Sequence, residues 1–314
     1  MLRVYLNKTN RLLSRRFFIF KTDLLLYGKK KKKLKILLPK GRIYENVVEL
    51  FNGAGISIKL PERAYRPTVN QDDIEAKVMK PQNIGKLLEL GAHDVGFTGR
   101  DWVEESNADV EEIMDLGFDT VRIVAAVPNG IDDAALKTRR IIVATEYENI
   151  TRRWLEANKI DSLVVRTYGA TEVFPPDDAD MIVDNTATGR TLIENGLRIV
   201  DTIMKSSTRM FASKSALADP EKKRKIMELK MLFSAVLDAR DRVMLEMNVT
   251  KAKFQDLVTG LPSMRSPTVS PLFGDDGYAV KIAVKKSEVP NLLPKLKELG
   301  ASDILEYDLR KVLS

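Results

Sequence analysis

Residues 180–197 read DMIVDNTATGRTLIENGL: an acid, three apolar residues, a second acid, then a run of hydroxyl and glycine residues. Three apolar residues between Asp180 and Asp184 suit a buried parallel strand. Its carboxyl end, at Asp184, is where open α/β sheets place ligands. Thr188 or its neighbour is predicted to cap the helix TLIENGL. The free N–H groups of that first turn, with the hydroxyls of Thr186, Thr188 and Thr191, surround a spot suited to a phosphate. Gly189 lets the backbone approach the anion, and Arg190 brings a cation within reach. Asp184 would repel phosphate but accepts hydrogen bonds from sugar hydroxyls, so a sugar phosphate satisfies both halves of the pattern. An ordinary capped helix behind a strand uses the same residue types, so this reading depends on its context.

Other segments repeat the chemistry. PKGR, residues 39–42, ends a strand and opens a helix, setting Lys40 and Arg42 where phosphate or pyrophosphate oxygens can be bound. A solvated basic turn is the alternative there. TGRDW, residues 98–102, also follows an apolar strand and brings Asp101, while Arg66 in YRPTVNQDD adds a loop cation. With no cysteine and His93 as the sole histidine, a Cys-His or Ser-His nucleophile and a thiolate metal site fall away. His93 reads as a surface or helix-end residue, and Trp102 and Trp154 as packing residues. Arg139 with Arg140, and the run Lys222 to Lys225, read as solvated faces. Neither is interleaved with aromatics for base stacking.

The elements that would position these residues alternate from Leu34 onward. LKILLP is a strand, and RIYENVVELFNGAG is a helix with Ile43, Val47, Leu50 and Phe51 on one face. PQNIGKLLELGA before HDVGFTG gives a helix and then a strand, and RRIIVAT before EYENITRRWLEANKI gives a strand and then a helix. SLVVRTYG is a further strand. This alternation is the mark of an α/β domain. Then a long helix is predicted from Pro220, capped by Asp219. Behind it the order strand, helix, strand, strand, helix, strand predicts a ferredoxin-like module of roughly 70 residues.

Composition bounds the rest. The 314 residues are 44% hydrophobic and 30% charged, enough for two or three domains, and no apolar run reaches the length of a membrane span. The net charge of +7 is concentrated at one end, because residues 1–33 hold 11 Lys and Arg against Asp23 alone. Residues 34–314 carry 40 basic and 43 acidic side chains, so overall basicity is no argument for nucleic acid. The basic leader is open to three readings: a targeting peptide, an arm for an anionic surface, or translated upstream sequence without a role. A reducing cytoplasm fits the lack of cysteine.

Across residues 34–314 the chain resembles the ATP phosphoribosyltransferase family in its long, histidine-regulated form, which opens histidine biosynthesis. The resemblance is carried by LPKGR, YRPTV, KPQNIGKLLELGAHDVGFTGRDWV, ATEYENITRRW, YGATEV, DNTATGRTLIENGLRIVDTI and SPTVSPLF. It implies joining N1 of the ATP adenine to C1 of phosphoribosyl pyrophosphate, with inversion and loss of pyrophosphate through an oxocarbenium-like transition state. Asp184, Asn185, Thr186, Ala187, Thr188, Gly189, Arg190 and Thr191 would then hold the 5-phosphate and ribose. Gly169, Ala170 and Thr171 would lie nearby. Lys40, Arg42 and Arg66 would face the nucleotide and the departing pyrophosphate, Glu146 would accept from ribose or nucleotide, and Asp101 is a further candidate. Magnesium would ride on the substrate pyrophosphate, with no protein metal cage.

The resemblance further implies a two-lobed clamshell like a periplasmic binding protein. Residues 34–118 and 206–240 would form lobe I, residues 119–205 lobe II, and residues 241–314 a regulatory module. That module would bind histidine as inhibitor around Asn248, Thr268, Ala283 and Asp303. The assembly would be a hexamer built from dimers, with no nucleic-acid or membrane partner. Two other readings stand beside it: a non-catalytic clamshell binder or sensor, and a relative that transfers phosphoribose to another base.

Overall fold

The computed structural model describes residues 32–61, 64–261, 266–274 and 276–313. The basic leader expected over residues 1–33 lies outside them, apart from Lys32 and Lys33. Residues 34–314 form one compact unit.

Lobe I opens with β1 (Leu34–Pro39) and α1 (Arg42–Ala54). Helix α1 buries Val47, Leu50, Phe51 and Ala54 at a helical period and stops at Gly55, whose φ of +92° only glycine adopts without strain. A short ribbon of β2 (Ile58–Lys59) and β3 (Thr68–Val69) leads to β4 (Ile74–Met79). Then follow α2 (Pro81–Glu89), β5 (Val95–Gly99), α3 (Arg100–Ser106) and β6 (Glu111–Asp115).

The chain then crosses to lobe II. There β7 (Val121–Pro128), β8 (Ile141–Thr145), α4 (Glu148–Ala157), β9 (Ser162–Arg166), β10 (Met181–Thr186), α5 (Arg190–Glu194) and β11 (Leu197–Ser206) build a second sheet. It returns through β12 (Thr208–Ala212), α6 (Lys214–Ala218) and the long α7 (Pro220–Arg240). Asp219 caps α7 as its sequence predicts, accepting from the N–H groups of Glu221 and Lys222.

Lobe I is a five-stranded sheet ordered β4-β1-β5-β12-β6, and lobe II one ordered β11-β7-β10-β8-β9. Strand β10 is parallel to β8 and antiparallel to β7. The expected wholly parallel setting of DMIVD is therefore corrected to a mixed one. The reason is β7, the strand that enters lobe II and pairs with both β10 and β11. The core of lobe I centres on Phe51, Phe97 and Phe233, whose rings meet edge-on with centroids 5.4, 4.8 and 6.0 Å apart. Phe233 comes from α7, so the returning segment closes the core begun by β1 and α1.

Two residues of the run Lys222 to Lys225 are not solvated as expected. Lys222 reaches the buried Asp94 at 2.7 Å, and Lys225, 8% exposed, pairs with Asp73 at 2.8 Å. Their methylene stems lie along lobe I while the ammonium groups find carboxylates. Arg139 keeps its exposed position as expected while pairing with Asp180 at 2.5 Å.

The C-terminal module comprises β13 (Arg242–Thr250), α8 (Phe254–Thr259), β14 (Thr268–Pro271), β15 (Gly277–Lys285), α9 (Val289–Glu298) and β16 (Ser302–Asp308). Its antiparallel order β14-β15-β13-β16 is the ferredoxin-like arrangement. Val243, Leu245, Met247 and Val249 alternate inward on β13 to meet the helices.

Candidate active site

A cavity of about 390 Å³ opens between the lobes. Lobe II supplies most of its wall, and lobe I contributes Arg42 from the first turn of α1. Asp184 and Asn185 come from the end of β10, where the buried Met181–Val183 stretch anchors the strand. Thr186, Ala187, Thr188 and Thr191 continue the wall. From the neighbouring loop, Gly169 at φ +105° and Ala170 at φ +50° present two successive left-handed residues to the same space. Strained backbone of this kind persists where the surroundings over-determine it.

The threonines partly satisfy their own loop. Thr186 Oγ1 accepts from the N–H of Gly189 at 2.9 Å, and Thr188 Oγ1 accepts from that of Arg190 at 3.3 Å. The helix begins at Arg190 with Gly189, at φ +83°, as its N-cap. The neighbour of Thr188 therefore takes the cap position, and the threonine hydroxyls brace the turn from before it.

Charge in the cavity is mixed. Burial, reinforced by Glu146 and Glu172, pushes the Asp184 carboxyl up to about 6, against hydrogen bonds from the Asn185 N–H and the Thr171 hydroxyl that favour the ion. Burial also raises Glu146, opposed by Arg166 and Lys80. Glu146 faces a second cavity of about 280 Å³ as well, formed with Trp102, Arg166, Tyr168 and residues at the start of α2. Glu146 thus stands between two adjoining spaces. Thr171 is fully buried and shares a 2.9 Å hydrogen bond with Thr167, so it braces the wall from behind.

Other expected site residues stand apart from this wall. Lys40 sits with its ammonium 5.4 Å from the Tyr65 ring centre, and Arg66 is in the exposed loop beyond. Gly189 is buried under the loop, and Arg190 turns away to pair with Glu194 at 2.7 Å. Asp101, a further candidate from the sequence, lies at an interlobe contact. Its carboxylate is 4% exposed and accepts from Ser206 Oγ at 2.6 Å and from the Tyr147 hydroxyl at 2.9 Å. Packing of lobe II over α3 buries it, and burial raises its pKa.

That interlobe contact is what motif reading missed. Tyr147 stacks on Trp102 with centroids 4.5 Å apart, and its hydroxyl accepts from Asn185 Nδ2 at 3.1 Å. Glu105 of lobe I caps a lobe II helix, accepting from the N–H groups of Asn149 and Ile150 at 3.0 Å each. The only signal for Tyr147 was its adjacency to Glu146, whereas Asn185 is expected from the sequence as a substrate contact and here also donates to the Tyr147 hydroxyl. Glu172, also on the cavity wall, was signalled only by its place after YGAT. Trp154 packs as expected and donates to Asp201 at 2.7 Å. His93 is half-buried, with Nδ1 lacking a partner among the described residues, and burial lowers its pKa.

In the C-terminal module, Asn248 donates to Asp303 at 3.1 Å. Asn248 pairs across the ladder with Ala279, four residues from Ala283, and Thr268 pairs with Lys281. At the strand rise this puts Ala283 about 13 Å along the sheet from Asn248. Within one chain the four expected effector residues thus divide into two pairs.

Residues 80–234 match the family model described as ATP phosphoribosyltransferase, and residues 239–311 match that of the HisG C-terminal domain. The chain belongs to the ATP phosphoribosyltransferase family. It is 40% identical over 289 residues to the ATP phosphoribosyltransferase of Chlorobium phaeovibrioides, covering 89% of this chain and 97% of the relative. The enzyme of Thermodesulfovibrio yellowstonii is 39% identical over 293 residues, covering 90% and 99%. Among solved structures, a chain of the ATP phosphoribosyl transferase (HisG:HisZ) complex from Thermotoga maritima superposes with a TM-score of 0.58 at 27% identity. That match covers 64% of this chain and 98% of the other.

Proposed function

We propose that the interlobe cavity is the transfer site of an ATP phosphoribosyltransferase, in which ATP and phosphoribosyl pyrophosphate yield N1-(5-phosphoribosyl)-ATP and pyrophosphate in histidine biosynthesis. One observation carries the assignment. A carboxylate followed by a threonine loop from lobe II shares one cavity with Arg42 from lobe I. Ionised Asp184 accepts from ribose hydroxyls, and Thr186, Thr188 and Thr191 with the adjoining backbone take the 5-phosphate. Arg42 binds pyrophosphate oxygens and stabilises the charge that builds on the leaving group. Lys40 and Arg66 approach when substrate draws the lobe I loops inward, and Glu146 accepts from the nucleotide.

The protein's work is to align N1 of adenine with C1 of the ribose and to shield the cationic carbon from water. No covalent enzyme intermediate is needed, in keeping with a wall of hydroxyls, amides and carboxylates. Magnesium would ride on the substrate pyrophosphate and keep most of its waters, and Glu146, Glu172 and Asp184 on the cavity wall would meet it through those waters and not as a cage. Bound there, magnesium would neutralise charge on the pyrophosphate.

The C-terminal module supports a regulatory role with histidine as effector, with Asp303 as the contact for its amino group and Asn248 as a donor to its carboxylate. Its sheet leaves Val269, Leu305 and Tyr307 exposed, which favours assembly into dimers and hexamers. A cytoplasmic setting suits these substrates.

The test follows product absorbance with ATP, other nucleotides or bare adenine as acceptor. ATP should be used, and Thr188→Ala should raise the KM for phosphoribosyl pyrophosphate roughly 10-fold, the worth of one hydrogen bond to a charged group. Unchanged kinetics would reject the loop assignment.

A further inference from the structure

Asp119 lies in the segment that carries the chain from lobe I to lobe II, between Asp115 and Val121. Its side chain is only 7% exposed, and none of the motifs above includes it. The carboxylate gathers two hydrogen bonds and an ion pair, from α1 and from the strand returning from lobe II. Asn46 Nδ2 donates from α1 at 2.9 Å, and Thr208 Oγ1, on the strand returning from lobe II, lies at 3.4 Å. Arg42 Nε forms an ion pair with the same carboxylate, also at 3.4 Å. Arg42 and Asn46 are four residues apart and so share one face of α1. The backbone fixes the same place, since the Thr208 N–H donates to the carbonyl of Phe118 at 3.0 Å.

Arg42 has the opposite character. Its side chain is 68% exposed and reaches into the cavity from the first residue of a helix. A long side chain so placed has many rotamers, and an arginine binds phosphate oxygens well only when its planar fork is held in register. A carboxylate paired with Nε constrains the plane from the side and leaves both Nη groups free to donate.

We propose that Asp119 is a positioning residue: anchored at the interlobe crossing by Asn46 and Thr208, it holds Arg42 through Nε so that the Nη groups stay presented to the pyrophosphate of the substrate. The backbone at Asp119 supports a dedicated role, with φ at +53°, where among non-glycine residues Asp and Asn are the commonest occupants. This inference rests on the assignment of Arg42 to the transfer site.

The same φ supplies a clean experiment. Asp119→Asn keeps shape and left-handed tolerance but removes the charge, and Asp119→Gly removes the side chain without backbone strain. The full-length protein is assayed for kcat, for KM of each substrate, for inhibition by pyrophosphate and for Tm. Each variant is repeated in an Arg42→Ala background.

Expected for Asp119→Asn is a KM for phosphoribosyl pyrophosphate raised about 5- to 10-fold, with pyrophosphate inhibition weakened alike and the KM for ATP unmoved. In the Arg42→Ala background Asp119→Asn should add nothing. If Arg42→Ala is impaired while the Asp119 variants are silent, or if their losses follow Tm and persist without Arg42, the inference is overturned and the site assignment stands. If Arg42→Ala is itself silent, the site assignment fails and takes the inference with it.

Discussion

At neutral pH Asp184 is a partly buried charge that shares its cavity with Glu146 and Glu172. Its ordinary value is 3.8 and its folded value about 6, so between these the folded chain holds a proton that the unfolded chain has lost. Below pH ~4 the group is protonated in both states and costs nothing. As pH rises through about 6 the folded state must carry the charge, and the penalty becomes complete. Asp184→Asn should therefore raise Tm at pH 8, with the gain gone at pH 4. The same variant should lower kcat/KM for phosphoribosyl pyrophosphate roughly 10- to 100-fold, since a neutral amide accepts sugar hydroxyls less strongly. In the native protein the KM for that substrate should climb as pH falls below about 6, where the carboxylate fills with protons. Steady-state kinetics over pH, alongside thermal melts of both proteins, check these together.

At the scale of elements, the parts legible in the sequence are those whose cause is local. Strand β1 and helix α1 follow from an apolar run, a helical period and Gly55, and α7 starts where Asp219 and Pro220 say it must. The strand end, loop and helix start between Asp184 and Thr191 were legible because they are contiguous. What could not be read depends on partners far along the chain. Asp101 carries the same Gly-Arg-acid signature as a ligand contact, yet Tyr147, 46 residues later, makes it a buried acceptor. Antiparallel β7 leaves no mark on β10 itself, because a strand buried on both faces has one composition in either direction. Glu105 shows the same limit. It caps α4 from the other lobe, so no local box announces it. Glu105→Ala should leave two helix N–H groups without acceptors and lower stability by roughly 1–2 kcal/mol, measured by urea unfolding. A change within a few tenths would show that water serves as well.

At the scale of the molecule, the proposed chemistry is divided between lobes, and the proposed regulation falls to a third body whose core is its own. Histidine at millimolar concentration should slow turnover, and sizing with and without it should show a shift in assembly. Turnover indifferent to histidine would leave the C-terminal module a purely structural role.

The way lobe II is attached has a consequence of its own. Its entry and exit are tied together where the Leu116 N–H donates to the Thr208 carbonyl at 3.0 Å, and β6 and β12, on either side, are already antiparallel neighbours. Lobe II is therefore topologically an insert within a hairpin. Replacing it by a tight two-residue turn should leave the first sheet whole, so the second half can be exchanged as a cassette without refolding the other.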